Sequence, residues 1–204
     1  MIEHEEQLKH LYKDQKLKSI IETTTLSWSD TYRDVYAQLI RSIVFQQLST
    51  KAATTIHGRF MLLFPDEYPD ATQILGMSTE ELRSVGLSKQ KAGYIQNVAA
   101  FFIEENLFDT DWDTFDDGHI IDLLTQIKGV GKWTVQMLLM FTLGREDVFP
   151  LNDLGIQQAM IRLYELEGDK KVILKKMEQI AASWRPYRSL ASYYLWQWKD
   201  LKSK

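Results

Sequence analysis

The sequence contains no cysteine. That excludes disulfides, thiolate metal sites, iron–sulfur clusters and thiol nucleophiles together. Histidine is scarce. His4, His10, His57 and His119 stand at no ligand spacing, and two of them lie in the first ten residues. A metal-dependent hydrolase is therefore not expected. No apolar run approaches the ~18 residues of a bilayer span. The opening stretch "MIEHEEQLKHLYKDQK" is charged and has no apolar signal core. These absences predict a cytoplasmic chain with no membrane partner. Excess positive charge is also missing: 24 Lys and Arg against 28 Asp and Glu give a formal charge of −4. Proteins that hold nucleic acid by bulk electrostatics are usually basic. A nucleic-acid partner would have to be gripped through few, local contacts.

What is present is helical pattern almost throughout. In "SDTYRDVYAQLIRSIVFQQLS", Tyr32, Val35, Tyr36, Leu39, Ile40, Ile43 and Val44 recur at steps of three and four. Ser29 or Asp30 is the expected cap of that helix. Ser49 opens a second helix that ends near Pro65, and Ser78-x-x-Glu81 is a capping box before a short helix stopped at Gly86. Ser88 opens another. The acidic connector Asp109 to Asp117 reads as a solvated loop. Alternation of the strand type is hard to find; "EDVFPL" is a short extended candidate that contains Pro150. The fold expected is all-α, a two-lobed bundle of about ten helices. No low-complexity linker divides it, so residues 1–204 are expected to form a single compact domain. "LRSVGLSKQKAGYI" partly echoes "LTQIKGVGKWTVQM". The basic residues Lys170, Lys171, Lys175, Lys176, Arg185 and Arg188 are either solvated helix faces or a phosphate track.

The second of those units holds "KGVGKW". Gly129 and Gly131 flank one apolar residue, Val130, which can tuck inward. Gly131 and Lys132 then fall at a helix N-terminus. There the first amides lack intrahelical partners and the dipole favours an anion. Such a turn is either a packing device between antiparallel helices or a grip for a phosphate. The second use needs little net positive charge, which reconciles an acidic chain with DNA. About twenty residues on, Asp153 follows Pro150 and opens another helix. It is either the N-cap, or it projects freely while Asn152 caps.

"LLTQIKGVGKWTVQMLL…DVFPLNDLGI" resembles the signature of the helix-hairpin-helix DNA glycosylases, the HhH-GPD superfamily, in its DNA-3-methyladenine glycosylase II branch. "LIRSIVFQQLSTKAA", "LRSVGLSKQKAGYI" and "WRPYRSLASYYLWQW" extend the resemblance over roughly residues 30–200. Only about thirty residues precede the first block, so the N-terminal β domain of some bacterial members is not expected here.

The resemblance implies a hairpin over about residues 118–143 and double-stranded DNA with alkylated bases as partner. It places the catalytic carboxylate at Asp153. DNA contacts fall on Gly129, Val130, Gly131, Lys132 and Thr134, and on Gln47, Leu48 and Ser49. Gln47, or else Leu48, fills the gap left by a flipped nucleotide. A base pocket falls on Trp133, Trp196, Tyr194 and Met137, although aromatics at helical spacing also serve as core. A structural Na+ or K+ is implied at the backbone carbonyls of Thr125, Ile127 and Val130, with no other cofactor. Trp133 stands where bifunctional relatives carry a nucleophilic lysine, and Lys132 lies one step earlier, about 100° around the helix. Monofunctional hydrolysis without strand cleavage is therefore expected, by a monomer acting in base excision repair. A cationic methylated purine suits an aromatic face. Deaminated or mismatched bases, or a non-catalytic DNA-binding role, are the alternatives.

Overall fold

The computed structural model describes residues 5–26 and 33–201. Its helices are α1 (Glu5–Leu11), α2 (Gln15–Ile21), α3 (Val35–Phe45), α4 (Thr50–Met61), α5 (Ala71–Gly76) and α6 (Thr79–Ser84). They continue with α7 (Lys89–Glu104), α8 (Asp117–Leu124), α9 (Lys132–Phe141), α10 (Leu154–Tyr164), α11 (Lys170–Ala182) and α12 (Arg188–Leu201). A 3-10 turn covers Trp112–Thr114. No strand occurs among the described residues, and the fold is all-α as the pattern predicts. None of the described helices is long and apolar enough to cross a membrane.

The starts of the helices are written locally. Ser49, Ser78 and Ser88 each accept a backbone N–H three residues on, and Ser78 with Glu81 completes the capping box. Each such cap is worth about 1 kcal/mol. Ser29 and Asp30 lie outside the described residues. The cap of α3 is Asp34, whose side chain accepts the Ala37 N–H at 2.8 Å. The helix therefore begins later than its apolar periodicity suggests.

The chain forms two compact units: residues 32–138, and residues 1–31 with 139–204. The boundary falls within α9. In the first, α3 packs on α7. Tyr36, Leu39, Ile40, Ile43 and Val44 are buried, as are Ile95, Val98, Ala99 and Phe102. The Tyr36 and Phe102 rings sit 5.2 Å apart. Each buried aliphatic or aromatic side chain here contributes about 1.5–3 kcal/mol.

The second unit centres on α10 and α12, with Ile156, Met160, Trp184 and Leu195 fully buried or nearly so. Its core also takes Leu11, Leu17, Ile20 and Ile21 from the charged N-terminal stretch. Asp14 caps α2 through the Leu17 N–H (3.0 Å) and also accepts the Tyr164 hydroxyl (2.7 Å) and the Trp184 indole N–H (3.0 Å). "EDVFPL" is an irregular loop and not a strand. Arg188 holds both carboxylate oxygens of Asp147 and its backbone carbonyl, at 2.6–3.0 Å. The Ser189 hydroxyl donates to the Arg145 carbonyl (2.6 Å) and accepts the Val148 N–H (3.0 Å). Arg188, its side chain only 18% exposed, is thus committed internally, while Arg185 pairs with the same carboxylate from an exposed position.

Candidate functional site

In the unit of residues 32–138, α8 and α9 form the expected helical hairpin. Its two glycines have different reasons to be there. Gly129 has φ +109°, and a Cβ on it would fall 2.3 Å from the Tyr94 ring. The fold itself requires a glycine there. Gly131 has no positive φ, and nothing lies within 4 Å of where its Cβ would stand. Packing does not demand glycine at that position. Its bare, exposed backbone is open to approach from outside.

The turn is braced from behind. Asn97 donates to the Lys128 carbonyl (3.1 Å), and Gln46 donates its side-chain amide to the Gly129 carbonyl (3.3 Å). In a trans peptide the N–H points opposite to the preceding carbonyl. Tying the Lys128 carbonyl to Asn97 therefore aims the Gly129 N–H away from α7. Val130 is buried, with its N–H on the Ile127 carbonyl at 3.0 Å. The helical ladder of α9 begins with Val135 N–H donating to the Gly131 carbonyl (3.1 Å). The amides of Gly131 and Lys132 lie ahead of it, at the positive end of the helix. Lys128 and Lys132 are exposed. Thr134, expected at the DNA face, is buried at 5% exposure. Its position turns its side chain inward, so only the backbone of this residue belongs to the helix end.

Between α3 and α4 the chain makes a sharp loop. Gln46 ends α3, Gln47 takes a left-handed φ of +57°, and Ser49 caps α4. A left-handed glutamine costs on the order of 1 kcal/mol, and glycine would avoid that cost. Gln47 and Leu48 are both exposed. Lys91 holds the loop from below, donating to the carbonyls of Val44 and Gln46 at 2.7 Å each. Burial pushes its pKa down. A cavity of about 230 Å³ is lined by Gln46, Gln47 and Leu48 on one side and by Gly86, Ser88 and Lys91 on the other.

In the unit that contains residues 139–204, Asp153 is the N-cap of α10. Its Oδ1 accepts the Ile156 N–H (2.9 Å) and the Trp196 indole N–H (2.8 Å). The cap is thus Asp153 and not Asn152. Capping has not withdrawn the carboxylate, since a tryptophan on α12 orients it as well. Trp196 stacks on Phe141 with ring centroids 5.8 Å apart. Phe141 is 50% exposed and Leu154 66% exposed. A Cβ on Gly155 would lie 3.0 Å from both Asp153 Oδ1 and the Trp196 ring. The missing side chain at Gly155 admits that contact. An anchored carboxylate at a helix N-terminus, beside aromatic surface, can stabilise positive charge developing on a bound sugar.

The remaining expected pocket residues divide. Trp133 is 45% exposed at the start of α9, and Met137 is half-buried one turn on. Tyr194 lies in the core of its unit, where burial raises its pKa. Its neighbour Tyr193 takes the aromatic position instead. It contacts both Phe141 and Trp196, its hydroxyl donates to the Met140 carbonyl at 2.8 Å, and burial pushes its pKa up to about 12. Sequence reasoning missed Gln46, Lys91, Tyr94, Asn97 and Gly155. Only the i, i+3 spacing of the three α7 residues hinted at a shared face. Among the described residues no group of three or more His, Asp or Glu is arranged to hold a metal ion.

The family model for "HhH-GPD superfamily base excision DNA repair protein" matches residues 40–185. DNA-3-methyladenine glycosylase 1 of Schizosaccharomyces pombe is 35% identical over 173 residues, 83% of this chain and 74% of that protein. The solved structure of a 3-methyladenine DNA glycosylase from the same yeast, in complex with abasic DNA, is similar at TM-score 0.77 and 30% identity. That likeness covers 94% of this chain and 95% of the other. A DNA-3-methyladenine glycosidase structure from Bacillus halodurans is similar at TM-score 0.82 and 35% identity, covering 97% and 90%. A hairpin with one glycine set by packing and one left open, followed by an anchored aspartate, therefore sits in a chain that belongs to the HhH-GPD superfamily of base excision DNA repair proteins.

Proposed function

We propose that this chain is a monofunctional DNA N-glycosylase that excises alkylated bases, of the 3-methyladenine and 7-methylguanine type, from duplex DNA. The observation that carries the reading is the Asp153 carboxylate, anchored on Oδ1 by a backbone N–H and an indole N–H beside aromatic rings. The open amides at Gly131 and Lys132 and the outward Gly129 N–H hold a DNA phosphate. Gln47 or Leu48 enters the base stack as the damaged nucleotide turns out. Extrusion costs a few kcal/mol, less for a damaged base. Trp196, stacked on Phe141 beside Asp153, supplies an aromatic face for a cationic base.

The bond from C1′ to the base nitrogen breaks, and its electron pair leaves with the base. An N-methylated purine that carries positive charge departs neutral, so the step needs little acid catalysis. Asp153 stabilises the oxocarbenium-like sugar. Water adds to C1′, loses its proton to solvent or to the carboxylate, and completes an abasic site.

Trp133 stands where a lyase would need a lysine amine, so no Schiff base forms and the strand stays intact. A monovalent cation on the carbonyls of Thr125, Ile127 and Val130 would brace the hairpin. The chain acts as a monomer in the cytoplasm.

The test is incubation with an N-methylated duplex. Free 3-methyladenine and an alkali-labile site are expected, with no borohydride-trapped adduct. Strand cleavage without alkali, or no base release, would sink the proposal.

A further inference from the structure

Lys91, Tyr94 and Asn97 stand at steps of three on α7 and share one face of that helix. Lys91 holds the Val44 and Gln46 carbonyls at 2.7 Å each. The Tyr94 ring lies where a side chain on Gly129 would have to go. Asn97 holds the Lys128 carbonyl at 3.1 Å. Gln46, whose own carbonyl is in the grip of Lys91, reaches on to the Gly129 carbonyl with its side chain at 3.3 Å. The α3–α4 loop and the hairpin turn are thus fastened to the same helix face and to each other.

The chemistry of these bonds is directional. Lys91 turns its ammonium inward onto the last carbonyls of α3, the negative end of that helix. It is therefore not spent on a DNA phosphate. With the Gln46 backbone held by its carbonyl, Gln47 follows in its left-handed conformation and, with Leu48, stands exposed. A loop free to relax would move Gln47 to an ordinary φ and carry the exposed side chains elsewhere.

We infer that Lys91 and Gln46 are positioning residues that fix the spacing between the stack-filling side chain and the phosphate grip, so that gripping the backbone and entering the stack form one docking step. This rests on the reading of Gln47 or Leu48 as the inserted residue and of the hairpin as the grip. Neither Lys91 nor Gln46 needs to touch DNA in this role. Their loss should therefore spare binding and slow the extrusion of a paired base, because a misplacement of about 1 Å is enough to slow a geometrically demanding step.

Lys91→Met keeps the aliphatic stem and removes the ammonium. The readouts are the Kd for abasic duplex and single-turnover release of an alkylated purine from two duplexes. In one the lesion is paired; in the other it faces an abasic gap, so that no pair has to be broken. The expected result is a Kd within about threefold of wild type. Release from the paired duplex falls about tenfold or more, and release from the unpaired duplex stays within about threefold. Equal losses on both duplexes, or none on either, would overturn the positioning role. Gln46→Ala removes one amide and carries the same test, with a smaller ratio, if Lys91→Met does not fold. No release by wild type from either duplex would instead overturn the glycosylase reading itself.

Discussion

Two helices of the same unit begin with the same device. Asp14 opens α2 and Asp153 opens α10, each capping a backbone N–H three residues on and each accepting a tryptophan indole N–H. What surrounds them differs. Asp14 also takes the Tyr164 hydroxyl at 2.7 Å, and its partner Trp184 is 1% exposed. It joins the N-terminal helices to the core. Asp153 has a half-buried partner, Trp196, stacked on a Phe141 that is 50% exposed. A carboxylate held by protein donors inside a core is structural. The same carboxylate held at an exposed aromatic surface is available to a ligand. The hydrogen bonds alone do not separate structure from chemistry; exposure of the neighbouring rings does.

Substitution separates the two carboxylates. The largest effect is expected at Asp153. Asn caps helices as well as Asp, so Asp153→Asn should leave thermal unfolding unchanged and slow base release on the order of 10²–10³-fold. Asp14→Ala should do the reverse. It strands the Tyr164 and Trp184 donors, costing about 2–4 kcal/mol by denaturant unfolding, and leaves the release rate of the folded fraction intact. Trp196→Phe keeps a ring and deletes the indole N–H. It should lower single-turnover release about tenfold with little change in DNA affinity, read from paired rate and binding curves. The smallest effect sharpens the contrast within the hairpin. Gly131→Ala should weaken binding of abasic duplex several-fold, on the order of 1 kcal/mol, without altering stability. Gly129→Ala should destabilise the fold, because Tyr94 and the positive φ both oppose it.

Much of this was legible in the sequence because it is local. Serine caps at 49, 78 and 88, the inward Val130 and the open turn at Gly131 follow from residue type and spacing. The cap at Asp153 was legible only as an alternative. Both Asn152 and Asp153 are good caps, and the Trp196 indole that helps to hold Asp153 lies 43 residues away. The helices α1 and α2 were hidden by charge: their few apolar residues enter the core while Lys and Glu cover the outside. Tyr194 and Tyr193 are adjacent, so a small rotation of α12 decides which joins the core and which the aromatic surface. On α9, Thr134 turns its side chain inward and leaves only its backbone at the helix end. The α7 face of Lys91, Tyr94 and Asn97 is invisible until the loops it holds are folded against it.

In the proposed reaction Asp153 acts on the sugar, while Asp14, which also caps a helix and accepts an indole N–H, does not. Single-turnover release of 3-methyladenine from methylated duplex, run side by side for wild type, Asp153→Asn and Asp14→Asn at matched folded concentration, tests it most directly. Asp14→Asn should release the base at the wild-type rate, and Asp153→Asn on the order of 10²–10³-fold more slowly. Equal rates for all three proteins would contradict it.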